Sequence, residues 1–384
     1  MSLTVVGSIA FDSVTTPFGS ATHELGGCAT YAALAAAPLT SVQIVGPVGD
    51  DFLPEHDELL VEGRVDTGGI DHVPGQRTFS WQGHYDFDLS FAHTDGIELN
   101  VFAGWRPRLP RRSRNADVLF LAAMDPEKQL EARAQSPGTR WAALDTAGYW
   151  IEHKRDALVE AIRSVDVVLM NDSEARALTR LPMLLKAARE IASWGPRAVV
   201  LKVGENGCAA LYDDRYFSLP GYPLEQVADP TGGGDAFAGG FLGYLDVAAP
   251  ATITPEVLRR AVTYGAVMAS YCVEDFGTRR IAGLSEREVE YRASDFKQMT
   301  HFEHVPTEVR PWGNGEEHTP RLERPAPTPS TIGIEAPGRT AGTQARPAPG
   351  RTPSTERLPR PERPLPRWVP YGPGPVEDAD NGVW

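Results

Sequence analysis

Several short stretches of this 384-residue chain are apolar at nearly every position rather than at alternate ones, and that leaves few folds open. A strand that alternates can face water on one side. A strand apolar on both faces must be covered on both, as in a parallel sheet buried between layers of helices. Such strands are predicted at Thr4 to Ile9, Val42 to Val45, Val118 to Leu121, Trp141 to Leu144, Val165 to Met170 and Ala198 to Lys202. Helical periodicity intervenes at Ala29 to Ala37, Pro126 to Ala134, Ile151 to Ser164 and Met183 to Ser193, so the chain reads as an α/β fold. Arg77-Thr-Phe-Ser-Trp-Gln-Gly-His-Tyr85 breaks this rhythm and alternates like an antiparallel strand.

Asp229-Pro-Thr-Gly-Gly-Gly-Asp-Ala-Phe-Ala-Gly-Gly-Phe241 carries chemistry. Gly232, Gly233 and Gly234 have no side chains to keep backbone N–H groups from a ligand, and the first turn of a helix leaves its N–H groups unpaired. Such a start attracts phosphate. Asp235 would compete with that phosphate for the positive end of the helix, which points to a second job, proton abstraction. The plainer reading is an acid that complements the dipole after a tight turn. Gly239 and Gly240 lie inside the same helical pattern at roughly 1 kcal/mol each relative to Ala, so another backbone or a ligand is expected to approach closely there.

Asp229-Pro-Thr-Gly-Gly-Gly-Asp-Ala-Phe resembles the C-terminal motif of the ribokinase-like (PfkB) family of carbohydrate and nucleoside kinases. The resemblance extends over about Met1 to Glu303, with motifs near both ends. It implies a mostly parallel ribokinase-like sheet flanked by helices in a kinase domain of residues 1–305, with a small β lid around 75–103. It also implies ATP and Mg²⁺ as cofactors and a sugar, polyol or nucleoside as acceptor, phosphorylated on a hydroxyl, with pairing of two copies through the lid. In the matching motif Asp235 is the general base and the Gly232, Gly233 and Gly234 amides form the anion hole, with Thr231 beside the nucleotide. Gly233 stands where Ala is usual and Pro230 where Thr is frequent.

Other elements have both a structural and a functional reading. Asn171-Asp-Ser-Glu174 is a capping-box start that needs no ligand. By resemblance Asn171 and Glu174 also lie near the phosphates, Glu174 reaching Mg²⁺ through water. Leu201-Lys-Val-Gly-Glu-Asn-Gly207 is strand and tight turn, and by resemblance Lys202 and Gly204 border the nucleotide. Gly265 lies on a small-residue face that suits close helix packing and, by resemblance, walls the adenine pocket. Gly7-Ser-Ile-Ala-Phe-Asp12 follows the first strand, and Glu24-Leu-Gly-Gly-Cys28 opens the first helix. These match the acceptor-binding elements, with Asp12 accepting from acceptor hydroxyls and Gly26 and Gly27 admitting the acceptor to the backbone. Tyr31 stands where many of these kinases have Asn. It either meets the acceptor or packs in the core with Leu34. His84, His93 and His153 show no metal or triad spacing.

From Pro306 onward the composition turns Pro- and Arg-rich, without hydrophobic period, and residues 306–384 are expected to form a disordered or polyproline-like tail. The tail charges roughly cancel, so the formal charge of −14 belongs to the folded part and argues against nucleic acid or an anionic membrane surface as partner. Cys28, Cys208 and Cys272 follow no metal or disulfide framework, and a reducing cytoplasm is expected. A silent kinase-like scaffold working through its tail is the rival from another class. A nicotinamide dehydrogenase is disfavoured, since Gly7-Ser-Ile-Ala replaces a G-x-G-x-x-G turn.

Overall fold

The computed structural model describes residues 2–248 and 252–300, and the expected tail of 306–384 lies outside them. The strands are β1 (Leu3–Val6), β2 (Ala10–Thr16), β3 (Gly19–Gly26), β4 (Val42–Val48), β5 (Val65–His72), β6 (Phe79–Tyr85) and β7 (Ala92–Glu98). The second half adds β8 (Val118–Leu121), β9 (Trp141–Leu144), β10 (Val167–Asn171), β11 (Ala198–Lys202), β12 (Cys208–Tyr212) and β13 (Arg215–Leu219). Nine of them form one sheet in the order β13-β12-β11-β10-β9-β8-β1-β4-β5. Pairing is parallel from β5 through to β11 and antiparallel only at β12 and β13.

The doubly apolar strands feed two cores. Leu3 and Val5, Val167 and Leu169, and Ala198 and Val200 face the helices Cys28–Ala36, Gly233–Ala248 and Pro255–Cys272. Val6, Val168, Met170, Val199 and Leu201 face Pro126–Ala134, Arg155–Arg163, Asp172–Thr179 and Leu184–Ser193. Alternate side chains of one strand therefore enter different layers, which is why no polar stripe survives in the sequence. No helix among the described residues is long and apolar enough to cross a membrane.

The small lid is a separate four-stranded sheet in the order β3-β2-β6-β7. Only half of it comes from the region around 75–103; the other half is residues 10–26, where the sequence suggested a loop and a helix start. Asp12 accordingly lies on β2 rather than at the end of the first strand, which stops at Val6, and Glu24 to Gly26 belong to β3. The predicted helix Ile151 to Ser164 is two helices, Gly148–His153 and Arg155–Arg163, broken at Lys154 (φ −136°, ψ 40°). Lys154 reaches Asp125 at 2.8 Å and Glu127 at 2.6 Å, contacts from a distant helix start that local periodicity cannot register.

Gly239 and Gly240 are explained by backbone rather than ligand. A Cβ on Gly239 would lie 2.2 Å from the Ala32 carbonyl oxygen, and one on Gly240 would lie 2.6 Å from that of Tyr264. The helix Gly233–Ala248 is thereby pressed between its two neighbours, which places its N-terminus over the sheet.

Candidate active site

Ligands collect beyond the carboxyl ends of strands in open α/β sheets. Here β9, β10 and β11 are parallel neighbours, and their ends deliver Asp145, Asn171 and Lys202; Asn171 and Lys202 are register partners. The Asp145 carboxylate, 2% exposed, accepts the Lys202 ammonium at 2.5 Å and the Thr146 N–H at 2.9 Å. Lys202 also reaches the Gly234 carbonyl oxygen at 3.5 Å, tying the sheet to the first turn of the helix Gly233–Ala248. Asp145 was not singled out from sequence. Its available signal was a carboxylate directly after a buried strand.

The motif preceding that helix is a built turn. Asp229 Oδ1 accepts the Thr231 N–H at 2.8 Å, and the Gly233 N–H donates to the Pro230 carbonyl at 3.1 Å. Gly232 has φ +75°, and a Cβ there would sit 2.4 Å from the Tyr31 ring, so both backbone and space demand glycine. Of the three glycine amides expected to face an anion, that of Gly233 is engaged within the turn. Those of Gly232, Gly234 and Asp235 make no hydrogen bond among the described residues, as helix starts leave them.

Asp235 is partly exposed in this first turn. Burial pushes its carboxyl up to about 8; Lys202 works against that, and Asp145, Asp12 and Glu174 add to it. Glu174 rises to about 7 from burial and the nearby Asp145, with Lys202 opposing. Burial disfavours the Lys202 ammonium, yet Asp145, Glu174 and Asp235 outweigh it and hold the proton on. Asn171 and Glu174 form a reciprocal capping box, Asn171 Oδ1 accepting the Glu174 N–H and Glu174 Oε2 accepting the Asn171 N–H, each at 2.8 Å.

Asp12 approaches from the lid. Its Oδ2 accepts the Gly27 N–H at 3.3 Å and the Tyr31 hydroxyl at 3.4 Å. A Cβ on Gly26 would lie 2.0 Å from that same oxygen. Burial raises the Asp12 carboxyl to about 7, Gly27 pulling it down and Asp229 pushing it further up. Tyr31 is 1% exposed and in the core with Leu34, yet its ring lies on Gly232 and its hydroxyl on Asp12, so core packing and site placement coincide. From β6 the Tyr85 hydroxyl meets that of Thr231 at 3.2 Å, joining lid to motif. Sequence reasoning missed Tyr85, whose partner is 146 residues away. Asp229 Oδ2 is buried without a hydrogen-bond partner among the described residues.

The remaining two candidates are glycines with backbone roles. A Cβ on Gly265 would lie 2.9 Å from the Phe237 carbonyl oxygen, so this glycine lets two helices meet. Gly204 starts a 3₁₀ turn at φ +54°, with nothing within 4 Å of where a Cβ would be.

The raised carboxyls set a stability trend. Folded Asp12, Glu174 and Asp235 keep protons that the unfolded chain has released, so stability falls as pH rises through about 7 to 8. His56, lowered by burial, titrates below this window. The ligand-free protein is expected to melt about 5 °C lower at pH 8.5 than at pH 6.5. Asp235→Asn should remove a large share of that drop; scanning calorimetry at both pH values reads both.

Comparison with known proteins places the chain in a family. Residues 127–282 match the family model described as pfkB family carbohydrate kinase. A cytidine kinase of Thermococcus kodakarensis is 33% identical over 250 residues, 63% of this chain and 87% of that protein. A nucleoside kinase of Methanothermobacter thermautotrophicus is 26% identical over 268 residues, 66% of this chain and 80% of that protein. In fold, the chain is similar to the nucleoside kinase of Methanocaldococcus jannaschii, an archaeal member of the ribokinase family, with TM-score 0.63 and 19% identity over 77% of this chain and 98% of the other. With a mostly parallel sheet under a small β lid and one third of its aligned residues shared along most of a named kinase, the chain belongs to the pfkB family of carbohydrate kinases and is a phosphotransferase.

Proposed function

We propose that the enzyme transfers the γ-phosphoryl group of ATP to the hydroxymethyl of a nucleoside, with Asp235 as general base. The observation that carries the reaction is the placement of Asp235 in a first helical turn with unpaired amides, where burial and, less, nearby carboxyls raise its proton affinity. In this reading Asp235 takes the proton of the attacking hydroxyl, the oxygen forms its bond to the γ-phosphorus, and the bond to the leaving ADP breaks in line. The amides of Gly232, Gly234 and Asp235 stabilise charge on the transferring group. Asp12 accepts from acceptor hydroxyls, which positions the nucleophile before transfer.

Around Asp235 the positive charge of Lys202 is set against the carboxyls of Asp145, Asp12 and Glu174. Hard oxygen donors with excess negative charge fit Mg²⁺, and Glu174 would hold it through water, with Asn171 fixing the Glu174 carboxylate. The ion would neutralise phosphate charge. Lys202, Gly204, Thr231 and Gly265 complete the nucleotide side of the proposal.

A nucleoside is favoured over a free sugar by the similarity to the cytidine kinase, which is higher than that to the ribokinase of Arabidopsis thaliana, 24% over 269 residues. Tyr31 offers an aromatic face and a hydroxyl beside Asp12. The test is ADP release with Mg·ATP and a panel of cytidine, uridine, adenosine, inosine, ribose, fructose and myo-inositol. The highest kcat/KM is expected for a nucleoside, cytidine first. A free sugar or inositol exceeding every nucleoside would overturn the acceptor assignment.

A further inference from the structure

His84 and His93 are nine residues apart in sequence, yet the antiparallel register of β6 and β7 sets them directly opposite one another. Their rings stack at 4.9 Å between centroids and 15° between planes. Asp86 Oδ2 lies 2.9 Å from His93 Nε2, and both Asp95 oxygens lie 2.9 Å from His84 Nδ1. One ligand atom from each of His84, Asp86 and His93 falls within 4.8 Å of the others. All four side chains are accessible, between 34% and 72% exposed.

We propose that these residues bind a divalent transition metal, Zn²⁺ in the first instance, that staples the tip of the lid. Two imidazoles and a carboxylate form a borderline donor set that suits Zn²⁺ and is a poor match for Mg²⁺. A tetrahedral ion with bonds of about 2.0 Å holds its ligand atoms about 3.3 Å apart, so the side chains need close by at most about 1.5 Å. Asp95, paired with His84, orients that ring in the manner of carboxylate partners around zinc. Without the ion, the His93–Asp86 contact already gathers two of the donors, and the ion replaces that hydrogen bond with two metal bonds while Asp95 stays on His84. Successive strand residues point to opposite faces, so Tyr85, between His84 and Asp86, goes the other way and reaches Thr231. Ion binding therefore fixes β7 against β6, the strand from which Tyr85 reaches Thr231. The site is independent of the acceptor and of the proton-transfer assignment.

Isothermal titration of the metal-stripped full-length chain with ZnCl₂ is expected to show one site. His84→Gln and His93→Gln should each abolish it, His153→Gln should leave it intact, and Asp95→Asn should weaken it by about 10- to 100-fold. Amide exchange across β6 and β7 should slow when Zn²⁺ is added to the parent and not when it is added to the double histidine variant. A parent chain that takes up no Zn²⁺ overturns the proposal. So does a double variant that melts like the parent and binds Zn²⁺ equally well, or a bound ion that leaves exchange in β6 and β7 unchanged.

Discussion

Asp235→Asn is expected to lower kcat by about 10²- to 10⁴-fold, the usual contribution of a positioned general base. The substitution keeps the size of the side chain and the amides of the first turn, so Mg·ATP affinity should change by less than about threefold; a larger loss would mean the carboxylate serves binding. In the parent, kcat/KM should rise with pH towards the Asp235 value of about 8 in the free enzyme, and this limb should vanish in the variant. Steady-state kinetics across pH 6 to 9 together with nucleotide titration decide it. Full turnover by the Asn variant would remove Asp235 from the role of base.

Lys202→Met should produce the largest loss of stability. The methionine retains the apolar stem but strands Asp145, whose side chain is 2% exposed and whose 2.5 Å partner is gone. Removing one member of a buried pair typically costs about 3–5 kcal/mol, because the remaining charge has neither water nor counter-ion. Glu174 and Asp235 also lose a cation that opposes their raised proton affinity, so activity near pH 7 should fall further than the stability change explains. Urea unfolding measures the first effect. The Asp145→Asn, Lys202→Met double variant should recover most of the stability, since it no longer strands the Asp145 charge. If the single variant is as stable as the parent, the pair is not the support described here.

The α/β class was legible because burial on both faces leaves a compositional mark on each strand separately. Val167 to Met170 are apolar whatever their neighbours are, and a parallel sheet is the arrangement that needs this. The Asp229–Phe241 motif was legible for a similar reason: its glycines, Asp235 and helix start are contiguous, so one short window holds the turn, the amides and the acid. The lid was only half legible. Residues 10–26 carry no strong alternation; β2 becomes a strand between β3 and β6, and the β6 residues lie some 70 positions later.

By itself the sequence determined the layered α/β architecture, the kinase family and the segment that carries the acid, all of which are local patterns or contiguous motifs. Tertiary structure alone decided that Asp145 neutralises Lys202 beneath that segment and that Gly233 spends its amide in the turn. It alone brought Tyr31 onto Gly232 beside Asp12, linked Tyr85 to Thr231, and set His84 against His93. All of these but the Gly233 turn depend on strand order, register or helix contact between distant residues, which leave no trace in the spacing of residues along the chain.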